Sequence, residues 1–216
     1  MDADRGLLLG ACRQLGMTGF DEARADRLIE FADLLRDWNR RINLVSRRDA
    51  TRIVSYHLVD SLAAARYLPG IRTAADVGTG GGLPGIPLAI AEPEISFKLV
   101  ESSTKKCVFL RHAVETLGVR NAAILNERIE QTAQLDCDLI FSRVTGPVHK
   151  VVELTRHHLK PGGTLIFYKT SESADEVTRL TDWLRDRSLT ISRVDEIVLP
   201  LTGTARSFVV LNRNPD

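Results

Sequence analysis

The stretch Asp76-Val77-Gly78-Thr79-Gly80-Gly81-Gly82-Leu83-Pro84-Gly85 constrains the fold of this chain more than any other. The apolar run before it, 71–77, predicts a short strand. Residues 84–91 predict a helix opened by Pro84, because proline suits a first helical position where no amide bond is required. The glycines between let the backbone turn tightly and come close to a bound molecule. A strand, a glycine turn and a helix N-terminus in that order present free amides to a ligand. An ordinary turn would use the same residues, so the chemistry must be argued from their surroundings.

From residue 71 onward strand and helix alternate, which predicts a mostly parallel sheet with helices on its faces. Strands are expected at 71–77, 95–100, 122–125, 138–142 and 164–169. Helices are expected at 84–91, 105–117 (with Gly118 as its cap), 148–159 and about 174–187. Residues 190–199 and 206–211 would close the sheet as a final pair. Residues 1–70 read instead as a helical extension. Leu28, Phe31, Leu34, Leu35 and Trp38 recur at helical spacing, with Trp38 expected as a packed aromatic. A second helix is expected from about Asp49, as N-cap, to Tyr67, before Pro69-Gly70. The expected division is therefore 1–70 as extension and 71–216 as the α/β domain.

Between those two helices lie Arg40, Arg41, Arg47, Arg48 and Arg52, opposed locally only by Asp49. Such a run is either a solvated face or a phosphate-contacting patch, since guanidinium groups grip phosphate with two prongs. A net charge of +1 means that any basic face has to come from local clustering of this kind. Cys12, Cys107 and Cys137 are odd in number and lack C-x-x-C spacing, which favours a reduced compartment over a disulfide framework. Leu9-Gly10-Ala11-Cys12 superficially resembles a lipoprotein cleavage box, but Asp2 and Asp4 stand where a signal peptide needs positive charge. No run approaches the ~20 apolar residues of a membrane span. A cytoplasmic protein is expected.

Two readings of the glycine stretch are specific. Gly80-x-Gly82-x-x-Gly85 matches a dinucleotide fingerprint, in which a helix N-terminus meets a pyrophosphate. Asp76-x-Gly78-x-Gly80-x-Gly82 instead resembles the first motif of class I S-adenosylmethionine-dependent methyltransferases, whose loop takes the methionine part of the cofactor. A sulfonium ligand with an ammonium group favours a nearby carboxylate and a pyrophosphate does not, so Asp76 tilts the choice to the methyl donor. Glu101, at the end of the second strand, stands where a carboxylate accepts the hydroxyls of a ribose; its alternative is a helix N-terminal acid. The five histidines show no H-E-x-x-H spacing, and neither a nucleophile elbow nor a G-K-[ST] loop occurs, so a metal site is not expected.

Several separated segments together resemble one family. Trp38-Asn39, Ile42-Asn43-Leu44, His57-Leu58-Val59-Asp60-Ser61 and Asp76 to Pro87 look like the bacterial ribosomal RNA small subunit methyltransferase G family, the GidB type. So do Glu101-Ser102 with Lys105-Lys106 and Phe109-Leu110, Arg128-Ile129-Glu130, Ser142-Arg143, and Arg206 ahead of a terminal apolar strand. The resemblance implies a Rossmann-like class I methyltransferase sheet, mostly parallel with a final antiparallel strand, behind an N-terminal helical extension. It implies transfer of a methyl group from S-adenosylmethionine to N7 of one guanine in small-subunit ribosomal RNA. Asp76, Gly78, Gly80, Gly82, Leu83, Glu101, Ile129, Glu130 and Arg143 would then form the cofactor site. Arg143 would also orient groups at the target-base mouth, with no general base needed. Arg40, Arg41, Arg47, Arg48, Lys169 and Arg206 would contact RNA, as naked RNA or in a 30S-type particle, and a monomer without membrane or metal partner is expected. The chain departs from the family pattern at Val45, at Val144-Thr145-Gly146-Pro147 and at Thr170. A non-catalytic RNA-binding module with a vestigial cofactor loop, or an NAD-dependent oxidoreductase, would be the alternatives.

Overall fold

The structure is a computed structural model and describes residues 2–46, 48–143, 147–170, 176–177 and 179–215. Seven strands form one sheet in the order β3-β2-β1-β4-β5-β7-β6. They are β1 Thr73–Val77, β2 Ser96–Val100, β3 Ala122–Leu125, β4 Cys137–Ser142, β5 Leu159–Lys169, β6 Leu189–Val198 and β7 Ala205–Arg213. The first five run parallel, and β7 lies antiparallel between β5 and β6. The expected architecture is therefore observed. The helices are α1 Asp2–Gln14, α2 Glu22–Asn39, α3 Val59–Leu62, α4 Gly85–Ala91, α5 Thr104–Thr116 and α6 Val148–Thr155, with a further short helix at Thr181–Arg185.

Local chemistry explains most boundaries. Asp21 caps α2 by accepting the Arg24 amide at 2.9 Å, and Ala25, Leu28, Ile29, Phe31, Ala32 and Leu35 form its buried stripe. Trp38 packs against Phe109, with ring centroids 5.7 Å apart, and against His112 at 5.4 Å. At the end of α5 the Gly118 amide bonds to Glu115 and the Val119 amide to Val114, the paired closure that a left-handed glycine permits. One apolar core runs from Leu8 in α1 through Leu28 and Phe31 to Phe97, Phe141 and Phe208 of the sheet. The three cysteines are free and buried.

Three expectations need correction. The segment from Asp49 to Tyr67 is not one α-helix: a 3-10 turn (Ala50–Arg52) leads into a π-helical turn (Ile53–Leu58), then α3, then another 3-10 turn (Ala63–Tyr67). Asp49 does stand at the N-cap position, of the first 3-10 turn, but it makes no side-chain capping bond: its backbone is helical and its carboxylate accepts the Ser46 hydroxyl at 2.6 Å. The helix from Val148 stops at Thr155, because Leu159 already pairs with Cys137 in the sheet; β5 thus starts five residues before its expected place. Of the helix expected over 174–187, the described residues show helix only at 176–177 and Thr181–Arg185; 171–175 and 178 lie outside them.

Asp138 locks β4 beside the start of β1. Its carboxylate accepts the amides of Arg72 (3.0 Å) and Thr73 (2.8 Å), the Thr73 hydroxyl (3.0 Å) and the Lys160 ammonium (2.6 Å). Burial alone would raise its pKa, but Lys160 and these donors outweigh it and hold the pKa at about 2. A folded-state value below the unfolded one gives stability that is present above pH 4 and is lost as the pH falls toward 2. Discounted for solvent screening, Asp138→Asn should cost about 1–2 kcal/mol at pH 7. Denaturant melts should show that difference shrinking as the pH falls through about 2.

Candidate functional site

The parallel register brings the ends of three strands together. Val77 of β1 lies level with Val100 of β2, and Asp76 lies level with Phe141 of β4. The residues that follow, Gly78, Glu101 and Arg143, therefore leave the sheet side by side. This is the edge between β1 and β4 where the strand order reverses, the position at which open α/β sheets bind ligands.

The glycine loop is pinned over this edge. The amides of Gly78 and Thr79 donate to the Val100 carbonyl (2.9 and 3.2 Å), and the Gly80 amide donates to Glu101 Oε2 at 3.0 Å. Asp76 acts from beneath: its Oδ2 accepts the Thr79 hydroxyl (2.6 Å) and the Gly85 amide (2.9 Å). Its Oδ1 is buried with no hydrogen-bond partner. Burial pushes the Asp76 pKa up to about 6; Thr79, Gly85 and Arg143 pull it back only in part. Gly81 is the point where the extension meets the loop, since a Cβ there would lie 3.1 Å from Leu35 and 3.3 Å from Leu44.

Glu101 is 7 % exposed, and its second oxygen accepts the Ser103 amide at 2.8 Å. Beside it lies a cleft of about 180 Å³, bounded by Val77, Gly78, Glu101, Ile129, Glu130 and Leu154 among others. The expected Ile129-Glu130 segment is a 3-10 turn on its wall, with Ile129 buried and Glu130 exposed. Gly80 and Gly82 sit in the pinned loop above, and Leu83 is buried in the core below it; none of the three lines the cleft.

Arg143 stands at the other side of the edge. One guanidinium nitrogen lies 3.1 Å from Asp60 Oδ2, as an ion pair without hydrogen-bond geometry, and another lies 3.5 Å from the Ser61 hydroxyl. The guanidinium also sits over the Tyr168 ring, 5.6 Å from its centroid. Asp60 is fully buried, and its Oδ1 accepts Nε of Arg206 at 2.6 Å. Arg206 further donates to the Lys169 carbonyl (3.3 Å) and the Tyr56 hydroxyl (3.1 Å), so three of its donors point inward. Lys169 is 8 % exposed with its ammonium 5.8 Å from the Phe167 ring centroid. His57 is buried with neither ring nitrogen bonded. Burial, aided by Arg143, holds its pKa down at about 4, so the ring is neutral at pH 7.

Asp60, Tyr56 and Tyr168 were given no role by sequence reasoning. Asp60 carries two signals: it lies in the family-like segment His57 to Ser61, and it is a carboxylate among the apolar residues Leu58, Val59 and Leu62. Its partners are 83 and 146 residues away along the chain (143 − 60 and 206 − 60), beyond the reach of any spacing rule.

The arginine segment flanks this edge through the Leu44 contact with Gly81. Arg40, Arg41 and Arg48 are exposed; Arg47 lies outside the described residues, as do Val144 to Gly146. Asn39 shapes the segment by accepting the amides of Leu44 (2.8 Å) and Val45 (3.0 Å). An open groove of about 640 Å³ runs past Arg36, Arg40, Arg41 and Asn43. Arg40 is paired loosely with Asp37 at 3.7 Å, both exposed. Among the described residues there is no cluster of three or more potential metal ligands and no helix long and apolar enough to cross a membrane.

Comparison with known proteins agrees with this geometry. The chain is similar to a SAM-dependent methyltransferase from Aquifex aeolicus (TM-score 0.58, 18% identity, 84% of this chain and 98% of that one). It is also similar to the O-methyltransferase TomG of Streptomyces achromogenes (TM-score 0.58, 17% identity, 90% and 91%). These likenesses concern the fold. In sequence, the chain is 40% identical over 193 residues to the ribosomal RNA small subunit methyltransferase G of Aromatoleum aromaticum, covering 87% of this chain and 89% of the relative. It is 31% identical over 210 residues to the protein of the same name from Bordetella avium, covering 94% and 91%. The family model described as rRNA small subunit methyltransferase G matches residues 24–201, so the chain belongs to that family.

Proposed function

We propose that the chain transfers a methyl group from S-adenosylmethionine to N7 of a guanine in small-subunit (16S) ribosomal RNA. The observation that carries the reading is the emergence of Gly78, Glu101 and Arg143 side by side at one sheet edge, with Gly78 and Glu101 lining the cleft there. The residues fit the cofactor: a buried carboxylate for ribose hydroxyls, a cleft with an apolar wall for adenine, and an orphaned Asp76 oxygen suited to a nearby cation. Bound there, S-adenosylmethionine supplies an electrophilic methyl group. Glu101 would hold the ribose, Ile129 and Glu130 the adenine side, and the loop Gly78 to Leu83 the methionine part. Guanine N7 has an in-plane lone pair and no proton at neutral pH, so no residue has to remove one. Arg143 orients, and acceleration comes from holding the reactants in line. The extension, 1–70, and the methyltransferase domain, 71–216, would work as one monomeric cytoplasmic enzyme on RNA or a 30S-type particle. Incubating labelled cofactor with unmethylated small subunits and mapping the modified base tests the reading. A methyl group on an exocyclic amine, or none, would overturn it.

The Asp76 carboxylate gives cofactor binding a pH dependence. It is charged above pH 6 and neutral below, and a cationic ligand favours the charged form. Affinity should therefore be level above pH 7 and fall roughly tenfold per unit below pH 6. Calorimetry from pH 5 to 7.5 measures this; Asp76→Asn, which keeps an acceptor for Thr79 and Gly85, should remove the dependence. An equally steep profile in that variant would move the titrating group elsewhere.

The arginine segment is proposed to contact RNA; Lys169 and Arg206 are both buried, and Arg206, with its donors turned to Asp60, Tyr56 and the Lys169 carbonyl, supports the mouth from inside instead of touching phosphate. Each phosphate contact releases counterions, so neutralising Arg40, Arg41, Arg47 and Arg48 together should flatten the salt slope of binding by roughly 2–4. Filter binding across 50–200 mM salt reads it. An unchanged slope would return the segment to a solvated face.

A further inference from the structure

Asp60 serves two guanidinium groups at once and serves them unequally. Arg206 is the anchored member. Its Nε bond to Asp60 is 2.6 Å long, and Tyr56 and the Lys169 carbonyl hold the rest of the group. Arg143 is the looser member, 20 % exposed, held by a 3.1 Å ion pair without hydrogen-bond geometry and a 3.5 Å contact to Ser61. Ser61 is itself fixed, since its hydroxyl donates to the His57 carbonyl at 2.7 Å and its own carbonyl accepts the Tyr168 hydroxyl at 3.3 Å.

A single carboxylate cannot neutralise two guanidinium groups, so one positive charge remains. It is expressed on the more exposed member, Arg143, whose side chain is 20 % exposed against 10 % for Arg206. A rigid carboxylate behind a partly exposed guanidinium restricts its rotamers while leaving its other edge free for an anionic oxygen. Arg206, on β7, holds Asp60 in place; Asp60, on α3, aims Arg143, at the end of β4.

We propose that Asp60 is the positioning residue of the methyl-transfer site, directing Arg143 toward the anionic group it binds. This rests on the reading of Arg143 given above. A purely structural Asp60 would tie α3 to β7 and matter equally whether or not Arg143 is present.

A double-mutant cycle separates these roles. Wild type, Asp60→Asn, Arg143→Ala and the double variant are compared for single-turnover methyl transfer to unmethylated small subunits. Cofactor affinity is measured by calorimetry and folding by thermal melting on the same samples. Asp60→Asn should lower the quantity that Arg143→Ala lowers, rate or affinity, by roughly 10- to 100-fold. In the Arg143→Ala background it should cost no more than about twofold, because there is nothing left to aim. Multiplying losses in the double variant, or a wild-type rate and affinity in Asp60→Asn, would overturn the proposal. Should Asp60→Asn melt below the assay temperature, Asp60→Glu keeps the charge but moves the carboxylate by one methylene. Aiming requires it to slow transfer or weaken cofactor binding only when Arg143 is present; wild-type behaviour in Asp60→Glu would likewise overturn it. If Arg143→Ala itself behaves as wild type, the reading of Arg143 fails first, and that result is distinct from failure of Asp60 alone.

Discussion

Glu101→Ala should weaken S-adenosylmethionine binding by at least about 100-fold, since hydrogen bonds to a charged acceptor are worth about 1.5–3 kcal/mol each and a ribose offers two. The carboxylate is 7 % exposed and bridges the Gly80 and Ser103 amides, so it is held still before any ligand arrives. Removing it also frees those two amides, and the fold should lose about 1–2 kcal/mol. Calorimetry gives the affinity and thermal melting gives the stability. Glu101→Gln should retain the shape but lose the charge, falling between the two. An affinity within threefold of wild type in Glu101→Ala would place the ribose elsewhere.

Gly85→Val should be the most damaging single change in the loop, at about 3 kcal/mol or more of folding stability. A Cβ at this position would overlap Leu99 and press on the Asp76 side chain, so either α4 moves off the sheet or the clamp on the loop opens. Gly118→Ala supplies the contrast. Nothing lies within 4 Å of a Cβ there, and the cost is only that of the left-handed backbone, φ +60°, about 1–2 kcal/mol. Chemical denaturation of both variants tests the ordering. Equal losses would mean that Leu99 and the Asp76 side chain give way to a Cβ at Gly85.

Local rules recovered those parts of the fold that local forces make. The alternation of strand and helix, the Gly118 cap and the packed Trp38 all follow from neighbours along the chain. What resisted was decided at long range. The 49–67 segment breaks into π and 3-10 turns while burying Ile53, Val54, His57 and Leu58, a demand of the surrounding core that helical spacing does not express. β5 starts early because Cys137 is there to pair with Leu159. At the site, the strand end placed Glu101 on the ligand edge and the glycine motif drew attention to Asp76, while Arg143 came only from the family resemblance. The sequence did not foresee that Asp76 turns one oxygen to the loop, nor that Arg206 spends three donors inside the protein.

The place of β7 has a consequence for how the protein is made. β7 is the last strand in sequence, yet it lies between β5 and β6, and it carries the arginine that anchors Asp60. A growing chain that has completed β5 at Lys169 must add 44 more residues (213 − 169) before β7 is complete. At roughly 5–20 residues per second, that leaves the β5 edge unpaired for about 2–9 s during translation, with β6 emerging before its only partner. The first five strands can assemble meanwhile, but the carboxylate beneath Arg143 has no anchor until the end. A ribosome-bound nascent chain arrested before residue 205 should therefore hold a formed glycine loop and no active methyl-transfer site.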